Sequence, residues 1–199
     1  MVKILVRRRI EREVFLFETI ESLLFLVDKE IDDLLKAEQP RGWKEKVVLS
    51  FLLTAILNEG WINAIGSKVI DCWVEKKPAE YKIDEITKRL LPELDKDVQP
   101  LSSVHSARAI RNEYAHAKPF VENTEREAWE EQNLELEGFF SGLTHPVEES
   151  ITINLYHIVR EDSAQFRDML LKASGLKRWD IKTRVHEDSH VLGRDATES

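Results

Sequence analysis

Apolar positions recur every three or four residues through most of this 199-residue chain, the spacing that lines one face of a helix. Between residues 10 and 38 they fall at Val14, Phe17, Ile20, Leu24, Val27, Ile31, Leu34 and Leu35, which predicts a long first helix ending near Pro40-Arg41-Gly42. Residues 44–75 are the most apolar stretch. On a helical wheel their apolar side chains surround the axis almost completely, the pattern of a central buried helix. Gly60 and Gly66 there suit a closely packed neighbour or a kink, and Pro78 ends the stretch. A shorter helix is predicted over 82–94, closed near Pro92. Ser102 offers an N-cap to a helix running to about Ala117, ended by "KPF" at 118–120. Thr124 and Glu127 have capping-box spacing for a helix over 124–141. Residues 147–174 predict a final long helix stopped by Gly175. Alternation marks only the two ends. Val2, Ile4 and Val6 suit a short strand or a frayed start, and Trp179, Ile181, Thr183 and Val185 suit an edge strand before a disordered stretch beyond Glu187.

Composition agrees with a helical reading. Hydrophobic residues make up 42% and charged residues 33%, with only seven Gly and six Pro, so the chain can bury a core and has few helix breakers. The fold class expected is all-α: a helical bundle with an extra long N-terminal helix and a short, partly extended C-terminal tail. The organisation expected is an N-terminal helix over 1–43, a helical domain over 44–175 and an extension over 176–199. Cys72 is the lone cysteine, so no internal disulfide forms, and its apolar surroundings predict a buried thiol. "MVKILVRRR" is too short in apolar residues for a signal peptide, and no apolar window of spanning length is evident, so a soluble cytoplasmic protein is expected. The net charge of −8 argues against broad, sequence-independent nucleic-acid binding, which needs a basic face. It leaves room for a small basic site.

The candidate chemistry concentrates at the end of the 102–117 helix. Val104, Ala107, Ile110, Tyr114 and Ala117 cover one side, and His105, Arg108, Asn112 and His116 the other. Arg111 falls on the shoulder of the apolar face, where a guanidinium must find a partner. Glu59 and Asn63, four apart in "LNEGWIN", are polar groups in an apolar segment and need partners too. One of them is expected to orient Arg111 or Asn112. A buried Arg–Glu pair between helices also serves as a purely structural tie, and spacing leaves both readings open.

"RNEYAH" at 111–116, with Arg111, Asn112, Ala115 and His116, resembles the R-x4-6-H motif of the HEPN family in its RN-x-x-AH form, and "NEGWIN" is similar to that family's polar positions on an earlier helix. The likeness covers roughly 44–175. It implies a bundle that dimerises with two motifs facing each other, and a metal-independent endoribonuclease of the toxin or antiviral-defence type. Arg111 would hold the phosphate and His116 act as general acid or base. Asn112 would orient either group, while Glu59, Asn63, Arg108 and His105 support. The nucleophile is the RNA's own 2′-hydroxyl, so no cofactor and no metal are expected. The partners implied are RNA through a short local contact, a second copy, and an antitoxin or regulatory protein, with no membrane and no DNA. The alternatives are a catalytically inactive HEPN-like ligand-binding or regulatory module, or a structural subunit of a larger complex. MltR-like regulators, with a similar Arg-Asn-x-x-Ala-His stretch, form a second neighbourhood.

Other signals carry less. "HEDSH" at 186–190 matches the zincin pattern H-E-x-x-H, but the alternating residues before it do not suit the apolar helix that mechanism needs. "EREAWEEQNLELE" at 125–137, with six Glu, reads as a solvated face, His145 and His157 stand in no cluster, and the tryptophans read as core or interface.

Overall fold

The computed structural model describes residues 4–14, 17–37, 41–116 and 146–194. The helices are α1 (Phe17–Leu35), α2 (Trp43–Val69), α3 (Ala79–Leu90), α4 (Leu101–Ala115), α5 (Pro146–Ser150), α6 (Ile153–Ser174) and α7 (Arg178–Lys182). The body is therefore all-α, as the periodicity predicts. Strands β1 (Ile4–Val14) and β2 (Thr183–Arg194) pair antiparallel as a two-stranded ribbon. The helix predicted over 124–141, its Thr124 cap and the acidic run at 125–137 lie outside the described residues.

Several boundaries differ from those expected. The first helix begins at Phe17, not at residue 10, because residues 10–14 belong to β1. Ile4, Val6, Ile10 and Val14 all occupy even positions, so they satisfy a strand's period of two as well as a helix's spacing of four. The tail beyond Glu187 is not irregular but continues β2 to Arg194, and the register sets Arg9 opposite Asp188 and Glu13 opposite Arg184. Helix α2 stops at Val69, well before Pro78, and Cys72 follows it in a left-handed turn with φ of 62°. That turn leaves the thiol exposed, where the sequence suggested burial. Ser102 is not the cap of α4: Pro100 occupies that position without a side-chain cap bond. The helix expected over 147–174 breaks at Ile151-Thr152, and Thr152 restarts it by accepting a hydrogen bond from the Leu155 amide at 3.1 Å.

Chain contacts divide the protein into two compact units, one of 1–22, 57–94 and 167–199, the other of 23–56 and 95–166. The first unit buries Trp61, Ile62 and Ile65 of α2, Ile83 and Ile86 of α3, Leu170 of α6 and Ile181 of α7. Gly66 has a specific task there. A Cβ at this position would meet the Trp73 indole at 2.5 Å, so only glycine lets that ring fold back over α2. The second unit packs Val27 and Ile31 of α1 with Val47 and Phe51 of α2, Ala107 and Ile110 of α4, Ile151, and Tyr156 and Val159 of α6.

Helix α2 is not enclosed on all sides, since Leu49 and Ile56 are exposed. Contrary to the sequence reading, it contains a stretch long and apolar enough to cross a membrane. The only charge between Val47 and Ala64 is Glu59. Half of that stretch is buried inside the protein.

Candidate functional site

The amphipathic character of α4 fixes where the motif's side chains stand. Val104, Ala107 and Ile110 are buried, and Tyr114 packs half-buried against the second unit's core. That places His105, Arg108, Arg111 and Asn112 at the half-buried margin, while His116 caps the helix in the open. Asn112 and His116, four apart, share one side of the helix; Arg111 and Tyr114, three apart, share another. The Arg111 Nη1 donates to the Asn112 Oδ1 at 2.8 Å. Among the described residues no carboxylate lies at ion-pair distance from Arg111. The backbone amide of His116 donates to the Asn112 carbonyl at 3.0 Å, which holds the imidazole at the helix end. The guanidinium and the amide of the motif are therefore joined directly, and among the described residues the guanidinium is held by a neutral amide rather than an acid.

The supporting carboxylate does not take the role expected of it. Glu59 accepts instead from Lys82 on α3, Nζ to Oε1 at 2.6 Å. Lys82 is only 2% exposed and also donates to the Glu75 carbonyl at 3.0 Å. A buried ammonium needs an anion beside it, and Glu59 supplies that anion. The Asn63 Oδ1 is buried without a hydrogen-bond partner among the described residues. Lys118 and Ala117 lie outside the described residues, as does His145.

A cavity of about 280 Å³ opens beside Tyr114, lined by Lys44, Glu45 and Val48 from the first turns of α2, Glu148 of α5, and Ile151. Burial, and then the Glu148 carboxylate, push the Tyr114 phenol above its ordinary pKa of 10.0 and keep it protonated. Glu148 of α5 and Ile151 at the break before α6 both line this cavity. No sequence signal pointed to it.

Sequence reasoning also passed over the polar groups inside the helices. Ser50, Thr54 and Asn58 recur every four residues on the buried side of α2. In the second unit Asp28 accepts from Ser50 Oγ at 3.2 Å, Tyr156 OH at 2.8 Å and Arg160 Nη2 at 2.6 Å. Arg160 Nη1 also reaches Thr54 Oγ1 at 3.4 Å. Ser103 Oγ donates to the buried Asp162 carboxylate. In the first unit Arg167 Nη1 donates to Asn58 Oδ1 at 2.6 Å. These are paired groups that fix helix register. Their sequence signal was the four-residue recurrence of small polar residues in an apolar helix.

The H-E-x-x-H pattern falls on β2. Four residues along a strand separate the backbone positions of its histidines by about 13 Å, at about 3.3 Å per residue, not the single helical turn of the zincin pattern. Among the described residues no three His, Cys, Asp or Glu side chains are grouped to hold a metal. No protein-family model, curated protein or solved structure matches the chain.

Proposed function

We propose that this chain is a metal-independent endoribonuclease of HEPN type, cleaving RNA at a composite site made by two copies of the motif in a homodimer. The observation that carries this reading is the state of Arg111. Its charge is half-buried and anchored to Asn112, yet no described carboxylate neutralises it. Such a guanidinium is ready to take the two non-bridging oxygens of a phosphodiester. The exposed His116 stands at the same helix end, and imidazole is the side chain most often used for general acid–base chemistry.

The chemistry balances with two histidines. One imidazole takes the 2′-hydroxyl proton as the 2′-oxygen bonds to phosphorus. The P–O5′ bond breaks, and the partner's protonated imidazole gives its proton to the leaving 5′-oxygen. The products are a 2′,3′-cyclic phosphate and a 5′-hydroxyl. One motif supplies a single histidine, so the second copy is part of the mechanism. With few cations at the site, the footprint is short and the salt dependence shallow.

The test is incubation of the purified protein with end-labelled RNA in the presence of a chelator. Products ending in 2′,3′-cyclic phosphate, formed equally with and without the chelator, are expected. Products that appear only with divalent metal, or intact RNA throughout, would overturn the reading.

A further inference from the structure

We infer that the cavity beside Tyr114 is a nucleobase subsite that selects a base with a donor-rich edge, guanine above all, and rejects uracil. The inference rests on the RNA reading above and adds the base specificity of that same site. At about 280 Å³ the cavity is smaller than whole-ligand sites, which run at about 300–1,000 Å³. It suits one part of a nucleotide. Val48 and the buried Ile151 give it an apolar floor, and Tyr114 gives it an aromatic wall. An unstacked RNA base needs those two surfaces when it leaves its strand.

The polar groups at the rim decide which base. Glu45 and Glu148 are exposed carboxylates from two different helices, and ionised carboxylates only accept hydrogen bonds. Guanine presents two adjacent donors, N1–H and the 2-amino group, which one carboxylate can accept together. Uracil presents carbonyl oxygens on both sides of its single N–H, and these face carboxylate oxygens repulsively. The Tyr114 hydroxyl stays protonated in this setting and adds a donor for a base carbonyl. Lys44 supplies the one cation of the lining, at the α2 end of the cavity. Arg111 shares the Tyr114 side of α4. A base in the cavity therefore belongs to a nucleotide whose phosphate lies toward Arg111, which couples base choice to the phosphate that is cleaved.

The test uses the full chain titrated with guanosine 5′-monophosphate and, separately, uridine 5′-monophosphate, followed by amide NMR shifts. The two probes carry the same phosphate, so their difference reports the base. The expected result is at least about tenfold tighter binding of the guanine nucleotide, the scale of one bidentate base contact, with shifts centred on Val48, Tyr114 and Ile151. A Glu45→Ala/Glu148→Ala variant, altered only at exposed positions, should lose that preference while keeping its spectrum elsewhere. Equal binding of the two nucleotides, shifts confined to other regions, or an unchanged preference in the variant would each overturn the inference. Guanine selectivity in a protein that leaves RNA intact would remove the nuclease reading and keep the subsite. Cleavage without base selectivity would do the reverse.

Discussion

Replacing Glu59 by alanine separates a structural carboxylate from a functional one. In the parent, Lys82 Nζ lies 2.6 Å from Glu59 Oε1, with the lysine 2% and the glutamate 33% exposed. The variant leaves that ammonium enclosed with only the Glu75 carbonyl. Removing one partner of a fully buried pair costs about 3–5 kcal/mol. Water can enter on the exposed side of Glu59, so the cost here is about 2–3 kcal/mol after that discount. Urea unfolding followed by circular dichroism measures it as a lower midpoint at unchanged slope. Adding Lys82→Met removes the stranded charge, and the double variant should recover at least about 1 kcal/mol over Glu59→Ala. RNA cleavage measured below the transition should match the parent. A Glu59→Ala protein as stable as the parent to within about 0.5 kcal/mol, but without cleavage, would refute this reasoning and return Glu59 to the site.

Gly66→Ala should lower stability by about 1–3 kcal/mol, the usual cost of overpacking, because its Cβ meets the Trp73 indole at 2.5 Å; an unchanged melting midpoint would count against that contact. Tyr156 carries a pH signature. Burial first, then its bond to Asp28, raise its native pKa above the ordinary 10.0. Above about pH 10 the unfolded chain gives up the phenol proton while the native chain keeps it, so stability falls as pH rises, by about 1.4 kcal/mol per pH unit for one proton. Tyr156→Phe should flatten the alkaline limb by that amount relative to the parent in paired unfolding titrations; parallel limbs would show that the phenol is not held.

Helix α4 was legible because its burial follows one period from Val104 to Tyr114, and the shoulder position of Arg111 came out as half-burial. Pairings made by nothing but tertiary contact were not legible. Glu59 has a partner 23 positions away on α3, and Lys82 sits on that helix's buried face with Ile83 and Ile86. A lysine there reads as solvent-facing until its burial is known. The same limit hid Asp28, whose ties to Tyr156 and Arg160 span more than a hundred residues. The β1 strand was hidden differently, since its β-branched residues satisfied two periods at once and the pairing partner lay at the other end of the chain. The cavity beside Tyr114 is lined by Ile151 at the break between α5 and α6, and no glycine or proline marks that break.

The central claim is that His116 moves protons in RNA cleavage, and comparison of the parent with His116→Ala on one RNA substrate tests it most directly. The side chain is exposed at a helix end, so the fold should persist. A loss of about a hundredfold or more in cleavage rate is expected, the scale of general acid–base catalysis, with an unchanged circular dichroism spectrum and melting midpoint. Cleavage by the variant at the parent's rate would contradict it.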